Sequence, residues 1–504
     1  MLRNPSHNAR PDARDAAGWS VGLGLAAFLL YAALAPVVPG KGDSSEFVLA
    51  LAIAGVPHPT GYPLYVLIGH LWVGALHGWG MDWARAANLW SALGGAVAVG
   101  LVHALGVRVA RSEPRLSPGA RARVALVPAL LIALNPLFLT EASQAEVNSW
   151  HFAIVVGVLL AGLAAHRRIA AAAPLPRGTL LAGSAAWGLA CGVGLAHHLT
   201  SIFFTGPLSL LLLLGLIRSR RLTALVPVAF LGGAMVALSS YGFLFWRARH
   251  PAAYQWPLLE PTAASVLDHA RGGVFKVFLG GFHPLPEQSA MLARTIYPFL
   301  AVGLPALAWA VWRVQTDRAF LLALLAAALL QLMFVLHYGV QDPAVYFFPA
   351  LMAGMIGLGV AIAPVAARLP HPAAAAPVAL GIVLAGAIWV GAAARESAQL
   401  VDIERLVHAR WRAIPFERGV VLWNNDFFCF LKGYQILDGE SPGRYVENPA
   451  MLTWAPPRRA FEKRFGFDPL SGLELREDAD LVLIAPNIAR LGGMPVVDFD
   501  RFTP

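Results

Sequence analysis

Charge is scarce in this chain. Only 13% of its 504 residues are Asp, Glu, Lys or Arg, against about 25% in an ordinary soluble domain, so polar side chains cannot cover a water-soluble globule. That shortage excludes a soluble enzyme, a disordered protein and a coiled coil. Cysteine is scarcer still: Cys191 lies in an apolar stretch and Cys429 near the C-terminus, which leaves no disulfide framework and no zinc pattern. Gly22-x-Gly24 and Gly192-x-Gly194 lack a third glycine and a preceding strand, and no Gly-x-x-x-x-Gly-Lys run occurs, so soluble nucleotide chemistry finds no support. There is no internal repeat of about 20–50 residues.

What is present is hydrophobic: 57% of residues, with a mean hydropathy of +0.60. The solvent for most of this surface is the lipid bilayer. The net charge of 38 − 29 = +9 would suggest nucleic acid in a soluble protein; here it is a topology signal, and no nucleic-acid partner is expected. Apolar segments near 19–39, 84–107, 124–140, 151–165, 179–196, 199–217, 222–246, 291–312, 319–336, 344–366 and 373–394 predict about eleven membrane helices. A signal peptide ending at Ala33-Leu34-Ala35 competes for the first, but Pro36 and the many later spans favour an uncleaved anchor.

The arginines test that count. With the N-terminus cytoplasmic, alternation puts Arg108, Arg111, Arg115, Arg121 and Arg123 inside, with Arg167, Arg168, Arg177, Arg218, Arg220, Arg221, Arg313, Arg318 and Arg368. The short outer loops around 141–150, 197–198 and 338–343 hold no Lys or Arg, as the positive-inside rule requires. The expected protein is an integral protein of a bacterial inner (plasma) membrane, N-terminus in and C-terminus out.

The predicted fold is an all-α polytopic membrane domain over 19–394, after a cytoplasmic tail, 1–18. Its first outer loop, 40–83, holds two interfacial or re-entrant helices, because counting 62–79 as a span would invert every later loop. A second long outer loop covers 247–290. Strand-like runs at Gly419–Trp423 and Leu481–Ile484 predict a small α/β extracytoplasmic domain over 395–504. The same alternation gathers Asp43, Glu46, His58, Glu141, Glu146, His151, His197, His198, His337 and Asp342 at the outer ends of spans.

The most specific segment is Gly42-Asp43-Ser44-Ser45-Glu46, followed by His58-Pro59-Thr60-Gly61-Tyr62-Pro63. On a helix the two acids share a face. They are read either as a helix cap with a capping box or as an acid–base pair, in which a desolvated carboxylate would hold its proton more tightly. With Arg85-Ala-Ala-Asn88-Leu-Trp-Ser91, these runs resemble the opening of domain-of-unknown-function family 2723. Relatives of that family include a eukaryotic transmembrane protein O-mannosyltransferase among the GT-C glycosyltransferases. Thr60 replaces a usual proline and Ser45 a common glycine. Looser matches follow at 141–150, 194–200 and Gln341-Asp342-Pro-Ala-Val-Tyr346.

The resemblance implies a GT-C-like bundle and an inverting transfer of a sugar, a hexose such as mannose. The donor would be a polyprenyl phosphate and the acceptor an extracytoplasmic protein Ser/Thr or glycan hydroxyl. Asp43 matches the catalytic carboxylate of the first outer loop, with Glu46 beside it; which of them is the base stays open. His58, Tyr62, Arg85, Asn88, His197, His198 and Arg271 are candidates for donor phosphate and sugar. Glu141, Glu146, Asn148, His151, Asp342 and Tyr346 are candidates for acceptor or sugar. Several also have plainer readings: Arg85 as a snorkelling side chain, the His197-His198 pair as partners of helix-end carbonyls, the 141–151 polar run as a solvated turn, and Asp342 as a helix cap. Asp43, Glu141 and Glu146 are oxygen ligands suited to a divalent ion, but no metal or other cofactor is predicted. A proton-coupled secondary transporter and a non-catalytic envelope assembly protein are the alternatives.

Overall fold

In the computed structural model, residues 9–171, 175–282, 289–340, 343–368, 375–425, 427–475, 481–483 and 488–503 are described. Among them nine helices are long and apolar enough to cross a membrane, or ten if one sharply bent pair is a single span. The chain begins with α1 (Ala9–Leu34), the buried α2 (Ser44–Ile53), α3 (Pro63–Gly78) and α4 (Trp83–Val109). The bent pair is α5 (Pro118–Ala133) and α6 (Pro136–Ser143), meeting at 71°. The bend has a local cause. Pro136 cannot continue α5, and the Asn135 side chain accepts the amides of Leu137 and Phe138, starting a new helix in a new direction.

The bundle continues with α7 (Asn148–Ala170), α8 (Arg177–His197), α9 (Ile202–Arg218), α10 (Leu225–Leu238) and α11 (Gly242–Arg249). After the short α12 (Ala263–Ala270) come α13 (Ser289–Thr295), α14 (Tyr297–Arg313), α15 (Arg318–Leu336), α16 (Ala344–Ala366) and α17 (Ala375–Arg412). The span expected near 291–312 is thus divided between α13 and α14, of which α14 has 17 residues. Ten of the eleven predicted segments therefore pass the length and hydropathy requirement, counting the bent pair as one, and the divided one does not.

The alternation of loops holds in space. At one end Arg167 binds Asp317 through two nitrogens, at 2.9 and 2.6 Å, and the Arg108 carbonyl at 2.9 Å, while Arg221 reaches the Ile169 carbonyl. At the other end Lys41 meets Glu396 at 3.0 Å, close to Asp43.

Three boundaries differ from expectation. Helix α1 begins at Ala9 rather than near Trp19. Helix α17 does not stop at Ala394 but runs on to Arg412 and delivers Trp411 into the core of the tail domain. In the first loop, α3 exposes Leu67, Ile68 and Leu71, with Trp79 just past its end, as an interfacial helix should, but α2 is buried from Ser44 to Ala52 and lies inside the protein.

The tail domain holds a four-stranded sheet in the order β2-β1-β6-β5. Strand β1 (Gly419–Leu422) runs parallel to both β2 (Arg444–Glu447) and β6 (Met494–Asp498), and β5 (Ile488–Leu491) closes the edge antiparallel to β6. A separate antiparallel pair joins β3 (Leu473–Leu475) to β4 (Leu481–Leu483). Helix α18 (Phe428–Ile436) crosses from β1 to β2 and packs against α2, where Cys429, Leu49 and Tyr254 form one apolar cluster.

Candidate active site

The segment that follows α1 is held by a face of α4. Arg85 donates to the carbonyls of Ala32 and Ala35 at the end of α1. Asn88, fully buried, donates to those of Pro36 and Val38 and accepts the Ala145 amide at 2.8 Å. Ser91 exchanges hydrogen bonds with the Glu146 backbone in both directions. Spaced three residues apart, the three stack on one helix face and clamp the approach to Asp43 against the 145–146 segment.

Neither acid acts as a cap. Asp43 stands at the N-cap of α2 without a side-chain cap bond, and Ser44 accepts the Gly40 amide. Glu46 is buried, and both its oxygens are engaged. Oε1 accepts the His58 amide at 2.9 Å and the Tyr254 hydroxyl at 2.7 Å, and Oε2 lies 2.5 Å from His58 Nδ1. The carboxylate taken out of water is therefore Glu46, whereas the Asp43 side chain is 62% exposed.

His58 is fastened between the two acids, its Nε2 3.1 Å from the Tyr62 hydroxyl and 3.7 Å from Asp43. Burial alone would lower its pKa, but the carboxylates of Asp43 and Glu46 outweigh that and hold it up to about 9. The turn that presents it needs its glycine. Gly61 has φ +79°, and a Cβ there would lie 2.9 Å from Leu244. Asp43, Glu46 and His58 bring potential ligand atoms within 4.8 Å of one another, the one such group among the described residues. The oxygen ligands named from the sequence as suited to a divalent ion, Asp43 with Glu141 and Glu146, are not the group brought together, and the atoms of Glu46 and His58 are already committed to each other.

Asp43 opens into a cavity of about 790 Å³, which Glu141, Glu146, Asn148, His198 and Tyr346 also line. Asn148 donates to Glu141 at 2.9 Å. A second cavity of about 210 Å³ has Arg271 and Lys276 in a wall otherwise built from groups such as Leu199, Ile202, Phe203, Leu279 and Phe334. Tyr62, His198, Phe275, Tyr338 and Tyr346 line both, so the two adjoin. An exposed carboxylate facing a chamber can accept a proton. A cationic groove with apolar walls can hold an anion carried on a hydrocarbon chain.

The chain resembles ArnT from Cupriavidus metallidurans bound to undecaprenyl phosphate, with a TM-score of 0.51 at 16% identity over 92% of this chain and 98% of that one. That likeness is one of fold: a GT-C-like bundle of membrane helices with a small C-terminal sheet. The apo form of the same ArnT gives a TM-score of 0.44, again at 16% identity, over 86% and 90% of the two chains. An Archaeoglobus fulgidus oligosaccharyltransferase in complex with Zn and sulfate gives 0.49 at 16% identity, and the match covers 85% of this chain but only 62% of the archaeal one. Residues 43–222 match a family model described as the protein O-mannosyl-transferase TMEM260 N-terminal domain, so the match begins at Asp43. No curated protein matches the chain by sequence. The match supports the O-mannosyltransferase part of the resemblance and does not show family 2723 itself. Fold and family match together support a membrane glycosyltransferase.

Within this GT-C framework several predicted residues stand behind the cavity instead of on it. Arg85 and Asn88 spend their hydrogen bonds on the α1 end, as described. His197 meets the Val147 carbonyl at 3.1 Å, and His151 meets the Thr200 hydroxyl at 3.2 Å; both are buried. His198 does reach both cavities, bound to Thr200 at 2.7 Å, and burial, with His197 and His58 adding to it, pushes its pKa down to about 3. It is therefore a neutral hydrogen-bonding group, not a cation. Asp342 lies outside the described residues. Sequence reasoning missed Tyr254, Cys429, Lys41, Glu396 and Lys276. Only Lys41, two residues before Asp43, and Lys276, five after Arg271, had a local signal.

Proposed function

We propose that the protein transfers a hexose, mannose by its family match, from a polyprenyl phosphate to a Ser or Thr hydroxyl on the extracytoplasmic face. One observation carries this reading: the exposed Asp43 carboxylate faces a large chamber that adjoins a cationic, apolar-walled groove. The donor phosphate would lie on Arg271 and Lys276, its prenyl chain along Leu199, Ile202, Phe203 and Phe334. The acceptor would enter the chamber beside Glu141 and Asn148. Asp43 takes the hydroxyl proton as the acceptor oxygen forms its bond to the anomeric carbon. The bond from that carbon to the phosphate oxygen breaks, its electron pair leaving with the lipid phosphate, and the configuration inverts. Glu46, saturated by His58 and Tyr254, holds the imidazolium that orients Asp43.

The undecaprenyl phosphate bound by ArnT supports a polyprenyl donor, and the O-mannosyl-transferase match supports the sugar and the protein acceptor. The test is transfer of labelled mannose from mannosyl-phosphoryl-polyprenol to a Ser/Thr peptide by the purified chain. Asp43→Asn should abolish transfer while leaving insertion and folding intact. Full activity in that variant removes Asp43 from the reaction.

A further inference from the structure

Far from Asp43, at the arginine-rich end of the bundle, four helices enclose a second kind of recess. Helices α8 and α10 are drawn together by small residues: a Cβ added at Gly188 would sit 1.9 Å from the Phe230 carbonyl oxygen, and one at Gly233 would sit 1.9 Å from that of Ala185. Towards the start of α8, these two helices with α7 and α9 wall a groove of about 280 Å³. Leu180, Trp187, Leu212, Leu216, Val226 and Phe230 make it apolar, and Arg168 is its one charged lining residue. Gly183 faces open space, since a Cβ there would meet nothing within 4 Å.

Arginine dominates the charge around the groove; the acid Asp317 reaches this end but is taken up by Arg167. Arg177 opens α8, Arg218 ends α9, and Arg220 and Arg221 follow directly, while Arg221 binds the Ile169 carbonyl beside Arg168. No Asp or Glu occurs between Glu146 and Glu260. Among the described residues Arg168, Arg177, Arg218 and Arg220 make no ion pair, and all four are exposed. A plain lipid-facing wall takes any hydrocarbon chain. A recess joined to several guanidinium groups without ion pairs at the membrane boundary also selects the headgroup: they donate paired hydrogen bonds to a phosphate, and they favour a net anionic headgroup over a zwitterionic one, whose own cation offsets the phosphate and is repelled. The positive-inside rule assigns this end to the cytoplasm.

We propose that the groove binds one anionic phospholipid of the cytoplasmic leaflet, an acyl chain against Trp187 and Phe230 and the phosphate at Arg168 with its neighbours. The site is separate from the donor groove and does not depend on the glycosyltransferase reading.

The full chain in nanodiscs of equal phosphatidylglycerol and phosphatidylcholine, released into native mass spectrometry, tests this. The wild type should retain phosphatidylglycerol over phosphatidylcholine by roughly tenfold, the order expected from one or two arginines at a membrane surface. Arg168→Gln should lower that ratio by about fivefold, the share of one arginine, and Gly183→Leu, which fills the groove, should remove the retained lipid. Equal retention of the two lipids by the wild type overturns the proposal, as does wild-type behaviour in Arg168→Gln. That variant is at an exposed position and decides the matter even if Gly183→Leu fails to fold. Displacement of the lipid by millimolar inorganic phosphate would reveal a headgroup-only site and would also overturn it.

Discussion

Tyr254 donates its phenolic hydrogen to Glu46 Oε1 at 2.7 Å, across 208 residues of sequence. That bond, with two more from His58, occupies the buried carboxylate and leaves the exposed one, Asp43, to face the cavity. The two acids three residues apart thus have different work: one orders a histidine and the other meets solvent.

This division predicts opposite signatures. Asp43→Asn should slow transfer by about 10²–10⁴, the usual contribution of a general base, with a smaller fall in melting temperature than loss of the buried acid gives, since only its charge on His58 is removed. Glu46→Gln should lose activity and also melt earlier, because it disrupts buried hydrogen bonds worth on the order of 1–3 kcal/mol each. Transfer assays beside thermal melting in detergent check both, and a stable, active Glu46→Gln would refute the division.

Tyr254→Phe keeps the ring in its cluster with Leu49 and Cys429 and removes only the hydroxyl. We expect turnover to fall about tenfold, the equivalent of one hydrogen bond to a charged group, with the donor KM unchanged. A rise in KM with unchanged turnover would instead place Tyr254 against the substrate.

The His58 pKa of about 9 sets a pH window. The folded value lies above the unfolded one of about 6.5. The stabilisation is therefore complete below roughly pH 6.5 and is lost as pH rises through about 9. Melting temperature measured from pH 6 to 10 should decline on the alkaline side for the wild type. His58→Gln should lack that decline, and identical curves would count against the ion pair.

Arg271→Ala and Lys276→Ala should each raise the donor KM by about tenfold or more, as expected for loss of a charge-assisted phosphate contact. Turnover at saturating donor should hold. Competition by polyprenyl phosphate without its sugar reads the same contact directly, and an unchanged inhibition constant in both variants would move the phosphate elsewhere.

Asn88→Ala should be a stability variant. It strips partners from the Pro36 and Val38 carbonyls and the Ala145 amide, at a cost of about 2 kcal/mol or more. The melting temperature should fall by several degrees with the donor KM preserved. A raised KM with unaltered melting would return Asn88 to the substrate.

The membrane domain was legible because its determinants are additive along the chain. Each apolar residue carries its own transfer free energy and each arginine its own preference for one side, so Arg167 and Arg221 could be placed at the end opposite Asp43 before any contact was known. The Asp43–Glu46 pair and the His58 turn were legible as a short motif on consecutive segments. The buried position of α2 was not, since an apolar helix of 10 residues suits an interface and an interior equally. The roles of Arg85, Asn88, His151 and His197 were also hidden, because the same polar side chain can bind a ligand or a carbonyl.

Composition and order of residues therefore determined that this protein lives in lipid, roughly where most of its membrane helices fall, which loops share an end and which acids gather there. Only the tertiary structure decided that Glu46 is enclosed and Asp43 open, that Tyr254 and Cys429 stand behind that pair, and that Arg271 belongs to a groove adjoining it. The reason is physical. Partition between water and lipid acts on each segment separately, whereas hydrogen-bond partners are chosen among groups that only packing brings within 3 Å, and no local pattern records which distant residue arrives.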